Sequence, residues 1–268
     1  NAAFVNVGYE KDAFLHYHDL GPQIPSLLKF IKRVSTGKPT DFLLKNFQFE
    51  KDIDKNGSIS NALKANQSIL VQIVKEPIST KGPRLSSELS IAGRYIVLVP
   101  FSDRISISQK IESKEEKDRL KRLVKSITPK GFGVIVRTVA EGKKVAELDS
   151  DLQNLLNRWT AMCKKIHKAH HPSKVLGEMN KASSILRDIF NDSFSNIVVD
   201  DEALYGQVKD YVHQIAPKKE SIVKHHSNGV PVFEKYGIER QIKTSFGRTV
   251  SMAKGAYIVI EHTEALHV

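Results

Sequence analysis

The stretch AAFVNVGYEKDAFL, from Ala2 to Leu15, decides how the rest of the chain is read. Residues 3–15 predict a β-hairpin, with Phe4 and Phe14 on its two arms and Gly8 near the turn. A barrel of the oligonucleotide-binding (OB) type binds single-stranded nucleic acid by stacking bases on aromatic rings exposed on its strands. Each stacked base contributes about 1–3 kcal/mol. Phe4 and Phe14, with Lys11 between them, suit that task. Taken alone, the hairpin is read more readily with both rings in the core.

Working outward, the next sixty residues are mixed and Lys-rich. Within them SILVQIVKEP, from Ser68, predicts a strand, and KDIDKNGSIS, from Lys51, predicts a polar loop. The loop faintly resembles a calcium site but lacks a Glu at the last ligand position. SIAGRYIVLVP, from Ser90, predicts one buried strand run, and Glu112–Ser126 a charged helix around Leu120, Leu123 and Val124. GFGVIVRTVA, from Gly131, predicts a strand ending in Arg137 and Thr138. A long helix follows over about 144–170, with apolar positions from Val145 through Trp159 to Ile166 at helical spacing. Ala182–Phe190 predicts a short helix, Asn196–Asp200 a strand, and Leu204–Ile215 a helix. Strands and helices alternating in this way imply a mixed α/β or α+β chain of several small modules.

The 268 residues carry 41 Lys plus Arg against 30 Asp plus Glu, a net charge of +11 and a pI near 9.5. That excess favours a polyanionic partner, most often nucleic acid. No apolar run approaches the ~20 residues that span a bilayer, and the start carries no secretory signal pattern. Membrane partners are therefore not expected, and a reducing, cytoplasmic setting is. The single cysteine, Cys163, excludes a disulfide framework and a Cys-rich zinc site. There is no initiator Met, the chain enters at once as a strand, and it stops within an apolar stretch. It is therefore expected to be part of a longer protein.

Few side chains outside the hairpin suggest chemistry. Arg137 can grip a phosphate bidentately and Thr138 can add a hydroxyl bond, although a plain surface Arg at a strand end fits as well. Cys163, His167, His170 and His171 share one helix end, where a core cysteine beside solvated histidines competes with a metal site. His16 and His18 alternate around Tyr17, and His225 and His226 fall in a polar loop. Asp200, Asp201, Glu261 and Glu264 form no convergent carboxylate set, and Asp201 is placed to cap a helix. No Gly-rich phosphate loop, Ser-centred elbow or HExxH helix is present.

Four stretches together resemble the ribonuclease E/G family of single-strand-specific endoribonucleases. AAFVNVGYEKDAFL is similar to that family's OB-fold hairpin. KGPRLSSELSIAGRYIVLVP, from Lys81, resembles the passage from the barrel into a 5′-sensor module. GFGVIVRTVAEGK and the Trp159 helix resemble the sensor core. The run from Val230 to Val268 resembles the approach to the catalytic domain.

The resemblance implies a partial OB-fold over 1–87, a 5′-sensor over 88–182, a ribonuclease-H-like module over 183–247 and the first strand of a deoxyribonuclease-I-like domain over 248–268. It assigns RNA contacts to Phe4, Phe14, Lys11 and Lys81. It assigns 5′-monophosphate reading to Gly93, Val97, Arg137 and Thr138. The implied activity is Mg²⁺-dependent cleavage of single-stranded RNA during processing and decay, leaving a 5′-phosphate on the downstream product. The carboxylates that hold Mg²⁺ are expected just after Val268, so the 268 residues are expected to bind RNA without cutting it. A zinc link that joins subunits is expected further on, with a homodimer or higher oligomer as the assembly it implies. Gln109 and Lys110 stand where the family often has two arginines, and residues 21–64 form an insertion of unassigned role. A non-catalytic RNA-binding scaffold shares all these residues, and a basic structural protein would need none of them.

Overall fold

The computed structural model describes residues 1–37, 41–177, 179–227 and 229–261. The chain forms two units, Asn1–Glu178 and Met179–Val268. Both mix helices with small sheets. No closed barrel forms among the described residues, and none of their helices is long and apolar enough to cross a membrane.

The first unit opens with the hairpin. β1 (Ala2–Val5) pairs antiparallel with β2 (Ala13–His16), so that Phe4 lies directly opposite Phe14. Strand side chains alternate between faces: Ala13, Leu15 and Tyr17 are buried, while Phe14 points outward. α1 (Ile24–Ser35) follows and buries Ile24, Leu27, Phe30, Ile31 and Val34 along one stripe. A single-turn helix, α2 (Ile59–Ala62), leads to β3 (Gln72–Lys75) and β4 (Arg84–Ser86). The sheet order is β1-β2-β4-β3, with β4 parallel to β2 and antiparallel to β3.

A second four-stranded sheet completes this unit. β5 (Ile91–Ala92), β6 (Ile96–Pro100), β7 (Ile105–Ile107) and β8 (Phe132–Val136) pair in the order β5-β6-β8-β7. α3 (Lys114–Ile127), capped by the Ser113 hydroxyl, lies between β7 and β8 in sequence. The 24-residue α4 (Val145–Lys168) packs beneath, burying Leu148, Leu152, Leu155, Trp159 and Cys163. One hydrophobic core runs unbroken from Ala13 to Ile166. At its centre Trp159 lies 5.8 Å from Phe30 and 5.9 Å from Phe101, ring centre to ring centre. Its indole N–H donates to the Phe42 carbonyl at 2.7 Å and so ties the segment after α1 to the core.

In the second unit α5 (Lys181–Ile189), β9 (Ile197–Val199), α6 (Glu202–Ile215) and β10 (Val223–His225) enclose a small core of Leu186, Phe190, Val199, Val208, Val212 and Val223. β9 and β10 run parallel, joined through α6, as a β-α-β crossover requires. The Asp201 carboxylate caps α6 through the Leu204 N–H at 2.7 Å. α7 (Val232–Lys235), α8 (Ile238–Ser245) and the antiparallel pair β11 (Thr249–Ser251) and β12 (Tyr257–Val259) follow.

Several expectations change. The run from Ser90 is two strands, because Gly93–Tyr95 turns the chain between β5 and β6. The strand from Ser68 shortens to β3, where a bulge between Ile73 and Lys75 interrupts pairing. β8 ends at Val136, and Thr138 opens a 3₁₀ turn. The mixed segment after Gly21 contains α1. His225 and His226 do not share a loop: His225 ends β10 and His226 is buried, its Nε2 on the Val230 carbonyl at 2.7 Å. Glu264 and Val268 lie outside the described residues.

Candidate nucleic-acid interface

The outer face of the first sheet carries the aromatic pair. Phe4 is 74% exposed and Phe14 is 36% exposed, so neither ring is a core residue. Their centres are 6.0 Å apart in an edge-to-face pair. The row of rings continues along β2 to His16, 6.3 Å from Phe14, and from there to His18, 5.0 Å further. Phe4 and Phe14 therefore begin a strip of flat side chains on an open surface. Such a strip accepts stacked bases of any sequence, because every base has a π-face.

Lys11 and Lys81 sit at one end of this sheet, on two loops that touch. The Lys11 ammonium donates to the Ser79 carbonyl at 3.5 Å. Gly82 lies so close to the Asp12 carbonyl that a β-carbon there would collide with it. Both lysines are exposed. Two further basic residues share the aromatic face. β4 places Arg84 opposite Phe14, and β3 places Lys75 opposite Arg84. Leu85 and Leu15 point inward on the same strands, which sends Arg84 and Phe14 outward together. The row across the sheet thus reads Phe4, Phe14, Arg84, Lys75. The signal that finds Arg84 and Lys75 is the strand register, which composition does not reveal.

The second sheet brings Gly93, Val97, Arg137 and Thr138 to one end. Arg137 Nη1 donates to the Gly93 carbonyl at 2.9 Å, and the Arg137 N–H donates to the Tyr95 carbonyl at 2.8 Å. Val97 pairs with Ile135, two residues before Arg137 on β8. Ile135 is exposed and Val97 half-buried, so an apolar shelf lies beside the half-buried guanidinium. The Thr138 and Ser108 hydroxyls are bonded at 2.9 Å, which fastens the end of β7 to this corner. Gln109 and Lys110 follow there, both exposed.

Asp151, on α4, organises the corner and was not among the expected site residues. Its carboxylate accepts the backbone N–H groups of Arg94 at 3.1 Å, Tyr95 at 2.8 Å and Ile96 at 3.0 Å. A β-carbon on Gly93 would lie 2.6 and 2.8 Å from its two oxygens. Glycine is therefore required by the close approach of a carboxylate. Burial raises the Asp151 pKa, against the lowering pull of the three amides and of Arg137. Asp151 stands 58 residues beyond Gly93 in sequence, with no local motif to mark the pairing. On the other flank Glu116 holds Arg119 through two bonds of 2.6 Å and accepts the Gly142 N–H at 2.8 Å, pinning the turn after Thr138 to α3.

No group of three His, Cys, Asp or Glu side chains among the described residues can hold a metal ion. Cys163 is fully buried within the core, and burial pushes its thiol up to about 12. His167 Nδ1 lies 3.2 Å from the Val34 carbonyl. Asp201 is occupied as a helix cap, and Glu261 faces Arg248 at 4.0 Å. The carboxylates described here do not fit a Mg²⁺ centre.

The open first sheet thus carries exposed aromatics with basic neighbours, in a chain of net charge +11. The profile of the Ribonuclease E/G family matches residues 90–268, and the chain belongs to that family. It is similar to ribonuclease G of Haemophilus influenzae, 33% identical over 265 residues, and to ribonuclease G of Escherichia coli, 31% identical over 265 residues. Each match covers 99% of this chain and 50% of the relative. Ribonuclease E of a Nostoc species is 32% identical over 272 residues, covering all of this chain and 36% of that protein. The chain thus spans about half the length of the ribonuclease G relatives it matches.

Proposed function

We propose that these residues form the RNA-recognition part of an endoribonuclease that cuts single-stranded RNA in processing and decay. The observation that carries this is the exposed Phe4–Phe14 pair on a basic sheet, in a chain whose relatives are named ribonucleases. In this reading bases stack on Phe4 and Phe14 while Lys11 and Lys81 neutralise the backbone. The second sheet acts as a 5′-sensor: Arg137 receives the terminal phosphate, the Thr138 hydroxyl adds a bond, and Gly93 and Val97 shape the wall. Residues 1–87 then serve as an open OB-type module and 88–182 as the sensor. Residues 183–247 form a structural ribonuclease-H-like module, and 248–268 enter the deoxyribonuclease-I-like domain. Mg²⁺, when bound, would supply charge stabilisation and an activated water. Its ligands are assigned to the half of the relatives that this chain does not span, so no step of the cleavage is placed on residues described here. A subunit-joining zinc site and an oligomer belong to that same half.

The test is anisotropy of a labelled single-stranded RNA against the same RNA annealed to its complement, at fixed salt. One stacked base is worth about 1–3 kcal/mol, so Phe14→Ala should weaken single-strand binding by roughly 5- to 150-fold and spare the fold. Equal affinity of wild type and Phe4→Ala/Phe14→Ala would reject the reading. The 268 residues should show no Mg²⁺-dependent cleavage through contaminant controls.

A further inference from the structure

The first sheet holds a contact that the aromatic pair alone does not explain. Arg84 stands beside Phe14 on the outer face, its side chain 45% exposed. It is clamped by Asp19: Nε donates to Oδ2 and Nη2 to Oδ1, both at 3.0 Å. This bidentate bond uses two of the five N–H donors of a guanidinium. Asp19 is itself fixed, because its carbonyl accepts both the Ser86 hydroxyl and the Ser87 N–H at 3.0 Å. Its carboxylate is only 18% exposed. An acid anchored in this way beside the aromatic row holds a fork that matches phosphate as well as it matches carboxylate.

We propose that Arg84 is the phosphate contact of the RNA track crossing Phe4 and Phe14, and that Asp19 is a built-in competitor for it. The inference rests on the RNA-binding reading above and adds to it a residue and a control. A backbone phosphate next to the base on Phe14 meets Arg84 on the neighbouring strand, with Lys75 one strand further. To bind, the phosphate must share or displace the Asp19 carboxylate. Weak anions fail that competition, while an RNA held also by stacking succeeds. Affinity is thereby coupled to stacking, and loose binding of any polyanion by a basic surface is reduced. A purely structural role for the pair would make it a staple from the turn after β2 to β4.

The two roles predict different signs. Arg84→Gln keeps most of the side-chain stem and should weaken single-stranded RNA binding about fivefold or more at low salt, as loss of a charge-assisted bond implies. It should also reduce the salt dependence, by about 0.7 in the slope of log affinity against log salt, the value of one phosphate contact on a single strand. Asp19→Asn should raise affinity severalfold, and that gain should vanish in the double variant Asp19→Asn/Arg84→Gln. A staple would make both single variants weaker. Near-wild-type fluorescence of Trp159 and an unchanged melting temperature show that each variant is folded.

Phe14→Ala, measured in parallel, separates the two claims. If it weakens binding while Arg84→Gln and Asp19→Asn leave affinity and slope unchanged, the track stands and the Arg84 assignment falls. If neither Phe14→Ala nor Arg84→Gln has any effect, both fall. If only Arg84→Gln weakens binding, the phosphate does not lie on the aromatic track and the inference is overturned.

Discussion

Gly93 and Asp151 meet so closely that their substitutions must not add. Asp151→Ala removes the acceptor of three amide N–H groups. Each orphaned buried donor costs about 1–3 kcal/mol. Arg94 and Tyr95 are half-buried, so water replaces part of that loss, and the desolvation of the carboxylate is relieved. A net cost of about 2–4 kcal/mol follows. Gly93→Ala introduces a β-carbon 2.6 and 2.8 Å from the Asp151 oxygens and 2.9 Å from the Ile96 carbonyl, an overpacking worth about 1–3 kcal/mol. In the Asp151→Ala background two of those three contacts are gone. The 2.9 Å approach to the Ile96 carbonyl remains, so the second substitution should still cost something but less than in the wild-type background, a coupling of about 0.5 kcal/mol or more. Urea unfolding followed by Trp159 fluorescence measures this directly, since the only tryptophan is buried in the same unit. Additivity within about 0.3 kcal/mol would refute the claim that the carboxylate and the glycine share one space.

Three further outcomes are expected. Glu116 is held at about 2, below its ordinary 4.5, first by Arg119 and then by the Gly142 N–H. Its stabilising contribution is present above pH 4.5 and lost as pH falls toward 2. Melting temperatures from pH 5.5 to 2.5 should therefore fall less steeply in Glu116→Gln than in wild type. Cys163 should resist thiol reagents in the folded protein at neutral pH and react at once in denaturant, because burial pushes its thiol up to about 12. Trp159→Phe keeps a ring in the core but leaves the Phe42 carbonyl without its indole donor. A loss of about 1–3 kcal/mol in denaturant unfolding is expected, read by far-ultraviolet circular dichroism.

How much of this was legible in the sequence varies with how local the signal is. The hairpin, α3, α4, α5 and α6 follow from periodicity, and α4 in particular shows Leu148, Leu152, Leu155, Trp159 and Cys163 at helical spacing. α1 carries the same signal in Ile24, Leu27, Phe30, Ile31 and Val34, but its lysines and Pro25 read as irregular chain. The turn at Gly93 breaks an apolar run that looks continuous, because the acceptor that shapes it, Asp151, arrives from a distant helix. Arg84 is opposite Phe14 only because β4 runs parallel to β2 across a long connection, and no local pattern encodes that register. The burial of His226 likewise depends on the β9–β10 pairing. The corner of Gly93, Val97, Arg137 and Thr138 came from family likeness. The structure places the four together, and their phosphate-reading role is a proposal.

That role is tested most directly by one comparison. Two single-stranded RNAs of identical sequence, one ending in a 5′-monophosphate and one in a 5′-hydroxyl, are titrated against the protein at fixed salt. Salt is held constant because phosphate contacts make affinity steeply dependent on it. The proposed sensor requires tighter binding of the monophosphate, lost in Arg137→Ala and kept in Phe14→Ala, which lowers both affinities alike. Equal affinity for the two ends in the wild-type protein would contradict it.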